Sequence, residues 1–539
     1  MSRSHCARSG AKPCGIMIGT LASFFRLTRA GLTLARYDAI FPAEYQAKFP
    51  APVKAVSAVM RLFARRDQDG SPGERLAAAL EKLGPSYVKF GQVLATRADV
   101  VGQEFAQGLS RLQDKMPAFD QAEAEAVVVA ELGLPLSELF SEFGPALAAA
   151  SVAQVHRAKT ADGRDVAVKV LRPNIEDRLA KDIAAMKLGA RLVEGIIPAA
   201  RRLEPRKFVD TVARATELET DLRLEAASAS EIAEASASIE NFHVPNVDWE
   251  RCARRVLTTG WVDGIPLTDL PALDAAGIDR EALAITLTQA FLGCAMDHGV
   301  FHADMHAGNM FADHEGGLWV VDFGIMGRIG RAERRFLAQI LHGFLTRDYI
   351  AAAQAHFNAG YVPPRHTIAD FAAALRAVGE PIFGKQASDV PMSRVLLQLF
   401  EITELFDMRL RPELVMLQKT MVQSEGVSRA LNPEHDMWAA SAPVVEVWMK
   451  RELGPEGLMR DAVEDLKALH ASVRKLPVAL DDWAAAGSKI RSGEIRLDDD
   501  TLDRFAKRGR SGRWIRFIAF IVMAGAAGAS AAWAFHALI

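Results

Sequence analysis

The sequence predicts an α+β chain of two lobes, with a helical extension ahead of them and one apolar segment at the C-terminus. Three observations carry that expectation. Two β-branched runs, Val152 to Ala158 and Val166 to Val170, flank Thr160-Ala161-Asp162-Gly163, whose Asp-Gly marks a hairpin turn. The stretch from Arg331 to about Ser488 is helical in pattern throughout. The last 23 residues, Phe517 to Ile539, contain no Asp, Glu, Lys or Arg, close to the roughly 20 that cross a bilayer core.

Composition bounds the rest. At roughly 150 residues per domain, 539 residues allow about three structural units. Half of the residues are hydrophobic and 24% are charged, which excludes a disordered chain and a multi-span membrane protein. With 64 Lys plus Arg against 67 Asp plus Glu, there is no global pull toward nucleic acid. Cys6, Cys14, Cys252 and Cys294 form no C-x-x-C pair, so a reducing compartment fits best.

Residues 1–70 hold basic, amphipathic helices. Arg3, Arg8 and Lys12 precede the apolar run Gly15 to Phe25, but Arg26 and Arg29 follow at once and no A-x-A site appears. Ile18 to Tyr37 reads as a basic amphipathic helix, either lying on a membrane surface or docked on the fold. A further helix and a polar linker are expected over Ala51 to Asp69.

A helical extension occupies 71–147. Ser71-Pro72-Gly73-Glu74 supplies an N-cap, a proline at the first helical position and the capping-box glutamate. Leu76, Leu80 and Leu83 continue that helix to Gly84-Pro85. The next begins at Ser86 with Tyr87, Phe90 and Leu94 on its apolar side, which puts Lys89, Gln92 and Thr96 together on the other.

The first lobe spans 148–265. In its second strand Val166, Val168 and Val170 share one face, leaving Ala167 and Lys169 on the other. Helical patterns run from Asn174 to about Ser238, and short strands are expected near His243 to Val247 and Arg255 to Val262. The second lobe, 266–435, opens with a buried helix over Ile278 to His298. A helical tail and acidic linker fill 436–512, and 513–539 is the anchor, the rival reading being a buried C-terminal helix. Lys507, Arg508, Arg510, Arg513 and Arg516 precede the anchor and keep that flank cytoplasmic. Gly525, Gly528, Ala529 and Ala532 offer small-xxx-small spacing for a homodimer contact.

The chemistry lies between His302 and Gly324. His302-Ala303-Asp304-Met305-His306-Ala307-Gly308-Asn309 reads H-x-D-x-x-x-x-N, and Asp322-Phe323-Gly324 follows across a short polar hairpin. Phosphoryl transfer needs a carboxylate to orient the acceptor or attacking water, and an Asn and a second Asp to hold magnesium against phosphates. Asp304 fits the first role, Asn309 and Asp322 the second. A transition-metal site on His302, Asp304 and His306 is the rival. Oxygen donors from Asn309 and Asp322 suit hard Mg²⁺ better, with His302 bracing the loop.

Upstream, Val166-Ala167-Val168-Lys169 matches the kinase strand whose lysine contacts α/β-phosphates and pairs with a helix glutamate. The loop before it, Ala148-Ala149-Ala150-Ser151-Val152, has alanines in place of glycines, and each Cβ stiffens it. The Ser151 hydroxyl and loop amides are expected to donate to phosphate oxygens. Together these features predict a bilobal protein-kinase-like fold. After Gly324 the chain passes through Ile325-Met326-Gly327-Arg328 straight into a helix near Arg331, without an activation segment or A-P-E, which speaks against phosphorylation of an external protein.

From about Leu83 to Pro433 the chain resembles the UbiB family of atypical kinase-like proteins, associated with ubiquinone biosynthesis. The resemblance rests on Lys89-Phe90-Gly91-Gln92 (K-x-G-Q), Thr96-Arg97, Leu112-Gln113-Asp114, the alanine loop, the lysine strand, Glu219-Thr220-Asp221 (E-x-D), Glu225-Ala226-Ala227 and both nucleotide-site motifs. Ser228, Ala307 and Gly260 depart from the family pattern without removing a charged group. The resemblance implies that Lys89, with Gln92 on its helix, folds over the site as a regulatory element and contacts Glu219 and Asp221, and that Glu225 partners Lys169. It also implies ATP or ADP with Mg²⁺, an ATPase or small-molecule kinase at the cell inner membrane, and polyprenyl-phenol precursors, membrane lipid and quinone-biosynthesis enzymes as partners. The family often carries two C-terminal membrane helices, whereas this chain has room for one clear span. A non-catalytic, nucleotide-gated scaffold is the alternative. A direct hydroxylase lacks support, because no G-x-G-x-x-G follows a strand.

Overall fold

The computed structural model describes residues 13–39, 70–95, 101–109, 112, 116–196, 201, 204–380, 398, 401–403, 405–408 and 412–454. The expected helix and linker over 51–69, Thr96-Arg97, Gln113-Asp114, the helical tail beyond 454, the acidic linker and the anchor at 513–539 lie outside these residues. Residues Met1–Lys450 cluster as one unit and Arg451–Ile539 as a second. Among the described residues, no helix is long and apolar enough to cross a membrane.

The extension comprises α1 (Pro13–Arg36), α2 (Pro72–Leu83), α3 (Pro85–Ala95) and α4 (Gln103–Leu109). The capping box forms as the sequence predicts: Glu74 N donates to Ser71 Oγ at 3.3 Å and Ser71 N to Glu74 Oε2 at 2.8 Å. Gly91 of α3 packs so tightly that a Cβ there would strike the Leu80 and Leu112 side chains, which gives the glycine of K-x-G-Q a packing reason. The inner face of α1 is docked rather than free: Ala30 is buried, and Arg26 pairs with Asp182, which also accepts from Ser86 Oγ at 2.7 Å.

After α5 (Gln121–Leu132) and α6 (Leu136–Leu139), the first lobe builds β1 (Phe140–Ala149), β2 (Ala153–Thr160) and β3 (Asp165–Leu171). Helices α7 (Ile175–Ile196), α8 (Pro205–Glu219) and α9 (Leu222–Ala235) follow, then β4 (Phe242–His243) and β5 (Val256–Gly260). An antiparallel sheet runs in the order β1-β2-β3-β5. As expected, Val166, Val168 and Val170 are fully buried on one face, packed with Val127 and Val128 of α5. On the opposite side, Leu171 packs with Ile175 and Leu179 of α7 and Leu222 and Ala226 of α9.

The sheet begins at Phe140, ahead of the boundary expected at 148. A register shift between Phe143 and Ala146 absorbs Gly144 and Pro145 as an irregularity within β1. His156 Nδ1 lies 2.8 Å from the Gly144 carbonyl and secures that bulge.

The second lobe contains β6 (Ile265–Pro266), α10 (Leu270–Ala275) and α11 (Arg280–Gly293), which runs on into a π-helical turn, Cys294–His298. Strands β7 (Val300–His302), β8 (Met310–Ala312), β9 (Leu318–Val320) and β10 (Met326–Arg328) follow. They pair as a β4-β9-β8-β6 sheet and a separate β7–β10 ladder. As expected, no activation segment intervenes after Asp322-Phe323-Gly324: α12 (Arg331–Leu345) starts three residues after β10. Helices α13 (Tyr349–Asn358), α14 (Ile368–Gly379), α15 (Pro412–Leu431) and α16 (Met437–Leu453) complete the described chain. Leu283, Leu287 and Phe291 of α11 share one core with Phe301, Met310, Val320, Leu417 and Leu431, which fixes the strands bearing the polar motifs against α15.

Candidate active site

Strand β3 sets Lys169 on the face away from the valines, in register with Val155 and Leu257. Its Nζ donates to both oxygens of Glu225, at 2.7 and 2.9 Å, and reaches Asp322 Oδ1 at 3.3 Å. Glu225 stands in the first turn of α9, where Asp221 Oδ1 accepts from Arg223 N at 3.2 Å and caps the helix. The expected lysine–helix glutamate pair is therefore present.

Electrostatics separate the two carboxylates. Lys169 holds Asp322 down to about 2, against a smaller opposing effect of burial. Burial pushes Glu225 up to about 7, with Lys169 pulling the other way and Asp322 adding to the rise. Burial works against the ammonium of Lys169, but Asp322 and Glu225 outweigh it, so the lysine stays charged above its ordinary range. The side chain of Asp322 is half exposed, whereas that of Glu225 is nearly covered. One carboxylate is thus open to a ligand and the other is a fixed partner.

Asp322 also has a φ of +63°, a left-handed conformation that is uncommon for a non-glycine residue. Such local strain clusters at functional sites. Its Oδ1 accepts from Gly324 N at 3.3 Å, which steadies the Asp-Phe-Gly turn.

The other motif forms a compact loop after β7. Asp304 N donates to His302 Nδ1 at 3.1 Å, and Asn309 Nδ2 to the Asp304 carbonyl at 3.4 Å. Val321 N donates to the Asn309 carbonyl at 2.9 Å and so ties this loop to the strand end bearing Asp322. His302 is buried, and its burial pushes the imidazole below its usual range, consistent with a neutral brace. His306 Nδ1 accepts from Gly308 N at 3.1 Å. Each histidine turns its Nδ1 to a backbone amide, while His306 Nε2 lies 3.8 Å from Asp304 Oδ2. Among the described residues, no group of three or more His, Cys, Asp or Glu converges as a metal site. Asn309 donates one amide hydrogen to the Asp304 carbonyl, and the backbone tie to Val321 sets its loop next to the strand end that bears Asp322. Both side chains carry hard oxygen donors of the kind Mg²⁺ takes together with phosphates.

The alanine turn departs from expectation. Ala148 and Ala149 are still in β1, opposite Val155 and Gln154, so only Ala150, Ser151 and Val152 form the turn. Ser151 is buried, not presented to a ligand. The turn is held by Arg172, which the sequence did not single out. Its Nε and Nη2 donate to the Ala150 carbonyl at 3.1 and 2.9 Å, and Nη2 to the Pro117 carbonyl at 2.8 Å. An arginine just beyond the lysine strand carries no spacing signal of its own.

Lys89, on the polar side of α3, is buried and pairs with Glu219 at 2.5 Å, the contact the family resemblance implies. Gln92 lies three residues further along α3 and is partly buried. Asp221, expected beside Lys89, is engaged elsewhere as the α9 cap and in a 2.6 Å pair with Arg223. Gln423 of α15 is a second residue the sequence did not signal: its Nε2 lies 3.4 Å from Asp304 Oδ1.

A two-lobed fold with this lysine, two acidic loops and no activation segment defines an atypical kinase-like protein. Residues 111–356 match the family model of the ABC1 atypical kinase-like domain, and residues 375–436 that of the UbiB helical domain. The "Probable protein kinase UbiB" of Marinobacter nauticus is 37% identical over 466 residues, covering 85% of this chain and 84% of that protein. The protein of the same name from Cellvibrio japonicus is 38% identical over 448 residues, covering 82% and 80%. Among solved structures, the complex of Rv3197 with erythromycin from Mycobacterium tuberculosis is similar with a TM-score of 0.49 and 22% identity, over 76% of this chain and 99% of that one. The chain belongs to the UbiB family.

Proposed function

We propose that the cluster of Lys169, Glu225 and Asp322 binds ATP or ADP with Mg²⁺ and that the protein acts as a membrane-anchored ATPase or small-molecule kinase supporting ubiquinone biosynthesis. The observation that carries this reading is the division of Lys169 between a covered carboxylate and an open one. Glu225 aims the ammonium, which is then available to α/β-phosphates. Asn309 and Asp322 would hold Mg²⁺, which neutralises phosphate charge when bound. Asp304, steadied by Gln423 and by the backbone amide to His302, orients the acceptor hydroxyl or water and receives its proton. The direct run from β10 into α12 leaves no platform for a protein substrate, which supports a small acceptor. Polyprenyl-phenol precursors and quinone-biosynthesis enzymes are the proposed partners. Cytoplasmic placement at the inner membrane rests on the apolar C-terminal sequence and its basic flank.

The test is thermal unfolding of the full chain in detergent with ATP or ADP, with and without Mg²⁺, beside Asp322→Asn, together with phosphate release. A Mg²⁺-dependent stabilisation lost in the variant, with turnover stimulated by a phenolic quinone precursor, is expected. Full Mg²⁺-nucleotide affinity in Asp322→Asn would overturn the assignment. Stabilisation without turnover would favour the nucleotide-gated scaffold.

A further inference from the structure

The two faces of α1 have opposite surroundings. Inward, Ala30 is buried, Leu27 lies against Gly189 of α7, and Arg26 pairs with Asp182. Outward, Phe24 and Phe25 are 55% and 67% exposed, beside an exposed Leu32. Arg29 and Arg36 are exposed as well. Phe25, Arg29, Leu32 and Arg36 recur at i, i+4, i+7 and i+11, so they form one stripe, with Phe24 at its margin. No Asp or Glu occurs anywhere in the helix.

We infer that this outward face of α1 docks on an anionic lipid surface. Two adjacent phenyl rings held in water are not needed by the fold, whose contact with α1 is made by the other side. Their chemistry suits shallow entry at the boundary of headgroups and acyl chains. Arg29 and Arg36, with no acidic neighbour on the helix, complement the phosphates of anionic lipid, where each cation near the surface adds to binding. Self-association through the same stripe would set like charges against one another, which disfavours a second copy as the occupant. The ion pair of Arg26 with Asp182, and the Ser86 hydroxyl on that carboxylate, couple α1 to α7 and α3. Docking would therefore hold the helical extension against the bilayer. None of these residues belongs to the nucleotide cluster, so this inference stands or falls separately from the proposed activity.

The test uses the full chain reconstituted with vesicles and a reporter local to α1, so that the apolar C-terminal segment does not confound it. Ala22, exposed next to the stripe, is changed to Cys in a background with the four native cysteines replaced, and labelled with an environment-sensitive dye. With phosphatidylglycerol–phosphatidylcholine vesicles the emission should shift to the blue and be quenched by a spin-labelled lipid. Phe24→Ser/Phe25→Ser, and separately Arg29→Glu/Arg36→Glu, should each raise the anionic lipid needed for half the response by about tenfold. Both pairs are exposed, so their melting temperatures should stay near that of the parent. If the cysteine-free background does not fold, hydrogen exchange of α1 in the unmodified chain, with anionic against neutral vesicles, reads the same difference. An equal response to phosphatidylcholine alone would overturn the charge-selective docking. So would no response while the chain is vesicle-bound, or a shift that needs no lipid and grows with protein concentration.

Discussion

Lys89 and Lys169 meet carboxylates only six positions apart in sequence, Glu219 at the end of α8 and Glu225 in the first turn of α9, yet the two pairs differ in what surrounds them. Lys89 comes from a helix, and both members of its pair are largely covered, with side-chain exposures of 11% and 17%. Lys169 comes from a strand and has a third group, the half-exposed Asp322, within 3.3 Å. A covered pair is a clasp, because water and ligands cannot compete for it. A pair extended to an open carboxylate is a site, because a phosphate can take over part of the lysine's coordination. The difference teaches that burial alone does not separate the two lysines; the open third carboxylate beside Lys169 does, and the proposed function rests on it.

The sharpest test of this contrast is Lys169→Met. Losing a charged donor to phosphate should weaken Mg²⁺-nucleotide binding by roughly 100-fold, about 3 kcal/mol, read by calorimetric titration. Unfolding should remain cooperative, since Glu225 is already displaced toward its protonated form and can stay neutral. An unchanged nucleotide affinity would make Lys169 a clasp like Lys89 and dissolve the distinction.

Lys89→Met should show the reverse pattern. Removing one partner from a covered pair is expected to lower stability by about 3 kcal/mol. Nucleotide affinity should be no weaker than in the parent. A double-mutant cycle with Glu219→Gln, measured by denaturant unfolding, should return a coupling of roughly 1–3 kcal/mol. A coupling near zero would show that the pair does not hold the extension closed. A tenfold loss of nucleotide affinity would instead make Lys89 part of the phosphate site.

The same contrast explains what was legible in the sequence. Lys169, Asp304, Asn309 and Asp322 are set by strand alternation and loop spacing, both local properties, whereas the 3.3 Å approach of Lys169 to Asp322 joins residues 153 positions apart and was not read from either. The Lys89–Glu219 contact joins residues 130 positions apart, and nothing in the helical pattern of α3 distinguishes a buried lysine from a solvated one. Only the family resemblance pointed to it. The resemblance in turn misdirected Asp221, because an N-cap position has a stronger local use for that carboxylate. The start of β1 lay ahead of the boundary at 148 because the irregular stretch around Gly144-Pro145 lacks the β-branched run that marks β2 and β3. Arg172 and Gln423 were invisible for a common reason: each acts on a backbone or carboxylate supplied by a distant segment.

A last prediction carries the contrast to a buried acid outside the nucleotide cluster. Glu425 of α15 is 3% exposed and pairs with Arg429 at 3.0 Å. Burial pushes its pKa up to about 7, with Arg429 opposing the rise. A carboxyl raised on folding contributes stability that is fully present below the unfolded value near 4.5 and is lost as pH rises through about 7. Glu225 acts in the same direction, whereas Asp322, held down to about 2, titrates below this window. Glu425→Gln removes one contribution and leaves the other. Relative to the parent, the variant should therefore gain on the order of 2 kcal/mol between pH 5 and pH 8. Because the comparison is a difference between two chains, the buried histidines, which titrate in both, drop out of it. Parallel stability curves across that range would mean that Arg429 keeps Glu425 charged throughout. It would then be a clasp of the Lys89 kind rather than a proton-sensitive acid.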